Sequence, residues 1–60
     1  MKEFMLFNKQ GEKIDSVDPY YMHKVVGDKV IVSSDLFEYE LSLENGNTFE
    51  IVKMGDYQND

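Results

Sequence analysis

The stretch that decides the fold is Leu36–Met54, LFEYELSLENGNTFEIVKM. Phe37, Tyr39, Leu41 and Leu43 alternate with Glu38, Glu40, Ser42 and Glu44. Alternation at a period of two, bounded by Asn and Gly, is the pattern of a half-buried strand entering a hairpin. Two loops could close that hairpin. A two-residue Asn45-Gly46 loop suits a type I′ turn, but it sets Leu41 opposite Glu50 and apolar residues against acids along the ladder. A three-residue loop, Glu44-Asn45-Gly46, with Gly46 in the left-handed position, pairs Leu43 with Asn47, Leu41 with Phe49 and Tyr39 with Ile51. A one-residue slip moves every side chain to the other face, so the apolar pattern selects the odd loop. The same register sets Glu40 opposite Glu50 on the outer face. Like charges directly across a strand pair cost roughly 0.2–1 kcal/mol. Such a pair brings no structural return and directs attention to that face.

Outward from this hairpin, Val30-Ile31-Val32 reads as a strand, and Ser33-Ser34-Asp35 as a short turn into the hairpin. Glu3 to Asn8 is a first strand, with Phe4 and Leu6 on one face and Met5 and Phe7 on the other. Lys9-Gln10-Gly11 is a second three-residue loop, pairing Leu6 with Ile14 and Phe4 with Ser16. Tyr20 to Val26 supports two readings. Asp18 as N-cap, Pro19 at the first helical position and Gly27 as the stop would make a short helix. Alternatively the segment is a strand, with Gly27-Asp28 a type II′ turn. Its Tyr and Val content favours the strand. The expectation is an all-β chain with room for one short helical turn near 19–26. Its arrangement would be a small antiparallel meander or an SH3/OB-like partly open barrel of about five strands. Residues 1–54 make a single small β domain and 55–60 a frayed C-terminal tail.

The expected core is Phe4, Leu6, Ile14, Val30, Val32, Phe37, Tyr39, Leu41, Phe49 and Ile51. Met5, Phe7, Met22, Ile31, Val52 and Met54 are left on opposite faces. A sheet apolar on both sides needs covering on both, and open strand edges invite pairing, so a homodimer is expected.

Composition narrows function. Sixty residues bury a modest core. There is no cysteine, so neither a disulfide nor a thiolate metal site can act as a staple. Phe4-Met5-Leu6-Phe7 is too short for a signal core or a membrane span, and a cytoplasmic setting is expected. Six Lys against twelve Asp and Glu give a net charge of −6, and no Arg is present to form a bidentate fork. This disfavours direct nucleic-acid binding and attraction to an anionic membrane, and suits a partner protein with a basic surface.

Between Lys29 and Lys53 lie Asp35, Glu38, Glu40, Glu44 and Glu50, with no basic residue. Charge runs usually mark a solvated face. The sharper reading is an anionic hairpin surface that docks a basic groove, its carboxylates imitating a row of phosphates. Tyr20 and Tyr21, beside the proline turn, are candidate interface aromatics, joined by Met5, Phe7, Ile31 and Val52. His23 is the only histidine, and no spacing links it to a serine nucleophile. No Asp-rich calcium loop or phosphate-cradling glycine loop is present, and no catalytic residue, metal or cofactor is expected. The sequence thus points to a non-enzymatic, protein-binding inhibitor or regulator, of a size and charge that would suit a phage- or mobile-element-encoded antagonist. A structural subunit assembling through apolar faces and strand edges is the alternative.

Overall fold

Phe4-Met5-Leu6-Phe7 is apolar on both faces, and a strand of that kind is most stable with a neighbour on each side. In the computed structural model, which describes residues 2–53, this segment is the central strand of one sheet. Among the described residues there are six strands: β1 (Lys2–Phe7), β2 (Lys13–Tyr20), β3 (Met22–Val26), β4 (Lys29–Ser33), β5 (Glu38–Ser42) and β6 (Thr48–Lys53). They form two three-stranded antiparallel sheets, ordered β2-β1-β6 and β3-β4-β5. The all-β expectation holds. The sheets do not close into a barrel, because β5 and β6 are not hydrogen-bonded to each other. Met54 and the tail 55–60 lie outside the described residues.

The expected hairpin of β5 and β6 is therefore corrected. β5 pairs with β4, setting Val30 opposite Leu41 and Val32 opposite Tyr39. β6 crosses to β1, setting Phe4 opposite Ile51 and Leu6 opposite Phe49. The pairs Tyr39–Ile51, Leu41–Phe49 and Leu43–Asn47 do not form, nor does Glu40–Glu50. Glu40 stands opposite Ile31, and Glu50 opposite Met5. Glu44–Gly46 is instead a 3-10 corner between the sheets, with Asn45 at φ 62° and Gly46 at φ 81°. Two successive left-handed residues turn the chain sharply. The Ser42 hydroxyl accepts the Glu44 N–H at 3.1 Å, and the Asn47 amide donates to the Ser42 carbonyl at 3.0 Å, which holds the corner. At Gly46 a Cβ would meet the Lys9 side chain at 3.3 Å, so the corner packs on the first loop.

The first hairpin forms in a shifted register: Phe4 faces Val17, Met5 faces Ser16 and Leu6 faces Asp15. Its loop is longer than three residues. The Asn8 N–H donates to the Glu12 carbonyl at 2.8 Å, and the Asn8 side-chain oxygen accepts the Gln10 and Glu12 N–H groups at 2.9 Å each. The register shifts once near this loop, which leaves Ile14 half exposed, and once near the cis Asp18-Pro19 bond. Pro19 has no N–H for the ladder, which is why such a residue sits at an irregular point of an edge strand. The shift brings Val17 rather than Ser16 against Phe4.

From Met22 to Val26 the chain is strand, with no helical turn at 19–26. Val26 faces Lys29 across Gly27-Asp28, and only Gly27 of the two takes a positive φ (62°), as a type II′ turn requires.

The buried core is Phe4, Leu6, Val17, Tyr20, Val30, Val32 and Leu41, with Leu43 and Phe49 packed against it. Val17 and Tyr20 replace Ile14, Phe37, Tyr39 and Ile51 of the expected set, which are exposed to different degrees. Burial of one large side chain contributes about 1.5–3 kcal/mol, so this small set carries much of the stability. Phe4 stacks on Phe49 at 4.9 Å and meets Tyr20 edge-on at 5.6 Å. His23 comes from the other sheet to close the cluster, 5.6 Å from Phe4, 5.7 Å from Tyr20 and 5.3 Å from Phe49.

Candidate functional site: the acidic rim of β5

β4 returns into β5 over a tip with no glycine. The Ser34 N–H donates to the Phe37 carbonyl at 2.9 Å, which leaves Asp35 and Leu36 at the apex. The apex residues project from the end of the sheet. Leu36 is 82% exposed, Phe37 60% and Tyr39 41%, and the Phe37 and Tyr39 rings lie 6.2 Å apart. Phe37 was expected in the core because it continues the alternation of β5. It precedes the paired part of the strand and lies beyond the packed interior.

Around this apolar group are acids. Asp35 is at the tip, where its carboxylate accepts the Tyr21 hydroxyl. That hydrogen bond raises the Tyr21 phenol above its ordinary value of 10.0, with desolvation and the Asp35 charge acting in the same direction. Tyr21 follows the β2 proline bend, so the bond ties the tip to that bend. Between them is a cleft of about 180 Å³, lined by Val17, Asp18, Pro19, Ser34, Asp35, Leu36 and Phe37.

Along β5 the side chains divide by strand parity. Tyr39 and Leu41 face inward with Val32 and Val30, while Glu38 and Glu40 face outward with Ser33 and Ile31. Glu38 also borders a second depression of about 260 Å³, formed by Met22, His23, Lys24, Ile31 and Ser33. The Lys29 ammonium lies 3.6 Å from the Glu40 carboxylate, both well exposed.

The expected acidic face is thus divided. Asp35 sits at the tip of the β4–β5 hairpin, and Glu38 and Glu40 lie on the outer face of the β3-β4-β5 sheet. Glu44 opens the corner turn, and Glu50 lies on the other sheet opposite Met5. Of the candidate interface residues, Tyr21 is exposed, but Tyr20 is only 3% exposed and belongs to the core, where burial raises its phenol. It is correctly an aromatic anchor between the sheets, not a docking residue. Met5, Phe7 and Val52 are half buried on the outer face of the first sheet, and Ile31 on that of the second.

Leu36, the most exposed large apolar residue among those described, is absent from the expected interface set. Its signal was available, since an apolar residue followed Ser33-Ser34-Asp35 in the turn itself. Among the described residues no cluster of three His, Cys, Asp or Glu side chains is arranged to hold a metal, and no helix is long and apolar enough to cross a membrane. No family model, curated protein or solved structure matches the chain.

Proposed function

We propose that this chain is a non-enzymatic protein-binding module, acting as an inhibitor or regulator of a partner with a basic surface. One observation carries the reading. Leu36, Phe37 and Tyr39 are exposed at the tip and open edge of β5, with Asp35 beside them at the tip and Glu38 and Glu40 on the other face of the same strand, in a segment without a basic residue from Ile31 to Val52. Contiguous exposed apolar side chains with a polar rim are a mark of protein contact surfaces. The apolar group would supply the desolvated centre. The carboxylates would speed encounter and reject acidic surfaces, with strong salt dependence. A cytoplasmic setting belongs to the same reading and suits a chain without cysteine.

The test is affinity capture with two baits at low and high salt. One carries Asp35→Asn, Glu38→Gln and Glu40→Gln together, and the other carries Glu50→Gln alone. The reading predicts that a basic protein held by the parent chain and by the Glu50 variant escapes the triple variant. Identical capture by all three contradicts it.

A second reading, self-assembly, is favoured by one feature. Met22, Val25 and Val26 are exposed on the edge strand β3. Light scattering at tens of micromolar that returns a dimer mass, lost in Val25→Lys, supports it, and a monomer mass excludes it.

A further inference from the structure

We propose that β5 takes up an extended segment of the partner as an added strand, and that this segment alternates basic and apolar residues. The proposal rests on the docking reading above and specifies how the partner sits.

β5 is an edge strand. β4 occupies one side of it, and among the described residues nothing pairs with the other. Every second N–H and C=O of β5 therefore points away from β4. The Ser42 carbonyl is taken by the Asn47 amide, and the groups of Glu38 and Glu40 face a vacant neighbouring position among the described residues. The two faces of β5 set the pattern of a guest. Inward lie Tyr39 and Leu41. Tyr39 stays 41% exposed although it belongs to the inner face, and Ile51, on the inner face of the other open edge β6, is 38% exposed. Apolar guest side chains on that face would cover surface that the fold leaves wet. Outward lie Glu38 and Glu40, which call for cations at the alternate guest positions. The fold already contains this complementarity on the β4 side, where Lys29 reaches Glu40 at 3.6 Å. A guest lysine would approach from the flank opposite Lys29.

The other occupants fit less well. A second copy added through β5 would set Glu38 and Glu40 against the same acids, and like charges across a strand pair are unfavourable. The edge of β2 is interrupted by two register shifts and by Pro19, which has no N–H to offer. β3 carries Lys24 on its outer face, opposite Ile31, and so repels a cationic strand. In strand addition the backbone ladder gives affinity and the alternate side chains give specificity.

The experiment is an NMR titration of the full chain with three synthetic peptides. They are the alternating heptapeptide Lys-Val-Lys-Val-Lys-Val-Lys with blocked ends, the same peptide with every backbone nitrogen methylated, and its counterpart with Glu in place of Lys. The proposal predicts that the first peptide binds and slows exchange of the outward β5 amides between Glu38 and Ser42 on the order of tenfold. The methylated peptide, equally charged, binds on the order of tenfold more weakly or not at all, and the Glu peptide does not bind. Equal binding of the methylated peptide, or binding without protection of β5, overturns strand addition and leaves charge-led docking standing. Absence of any shift at Asp35–Leu41 with the first peptide overturns both. Protection of β5 that rises with protein concentration in the free chain identifies a second copy as the occupant and overturns the proposal.

Discussion

β1 and β5 are both five- or six-residue strands with aromatic and aliphatic side chains, yet they end in opposite situations. β1 has β2 on one side and β6 on the other. Phe4 and Leu6 are buried beneath it, and Met5 and Phe7 are half buried above. Among the described residues β5 has one partner, buries Leu41, and keeps two glutamates on its outer face. The difference lies in the second face. A strand apolar on both faces gains from a neighbour on each side, whereas a strand with acids on one face tolerates an open edge. The first position holds the fold together, and the second is available for contact.

The comparison breaks most visibly at Phe4. Phe4→Ala removes a fully buried ring that touches Tyr20, His23 and Phe49. The expected loss is about 3–5 kcal/mol, enough to unfold a domain of this size, and circular dichroism should show it. Tyr39→Ala, the matching change on β5, should cost only about 1 kcal/mol in urea unfolding. A loss at Tyr39 equal to that at Phe4 would mean that β5 is as central as β1.

Gly46→Ala tests the corner that carries the chain from β5 in one sheet to β6 in the other. The positive φ of 81° and the close Lys9 side chain both oppose a Cβ. The expected cost is about 1–2 kcal/mol of stability. If the change were neutral, the corner would not be as tight as described.

Alkaline pH offers a gentler test. The Tyr21 phenol is raised by its bond to Asp35 and that of Tyr20 by burial. A raised phenol favours the neutral form in the folded state. Its contribution is therefore fully present below the ordinary value of 10.0 and is lost as pH rises through the folded value. Urea midpoints should fall above that pH, and Tyr21→Phe should flatten part of the fall. The smallest effect is expected at Glu40→Gln, which removes an exposed ion pair with Lys29 and should alter stability by about 0–1 kcal/mol. Its consequence should be seen in salt-dependent partner binding.

Much of this was legible from residues. The alternation of β5 assigned its faces: Leu41 is in, Glu38 and Glu40 are out. The Gly27-Asp28 hairpin and the left-handed Gly46 were also readable, because turn chemistry is local. Partner choice was not. Asn45-Gly46 has the composition of a hairpin loop but acts as a corner, while the β4–β5 hairpin turns on Asp35-Leu36, which carries no glycine signal. Local chemistry fixes how a backbone bends, and long-range burial of Phe4, Leu6 and Phe49 decides which strand comes alongside. The site followed the same rule. Asp35, Glu38 and Glu40 were readable as acids of one segment, but their separation from Glu50 depended on the strand exchange.

Among the described residues β5 has one open edge and β1 has none. Residue-resolved hydrogen exchange of the free chain measures this directly. The prediction is strong protection at consecutive β1 amides from Glu3 to Phe7, and an alternating pattern in β5, with every second amide between Glu38 and Ser42 exchanging fast. Uniform protection along β5, equal to that of β1, would show a partner on both of its sides and contradict the account.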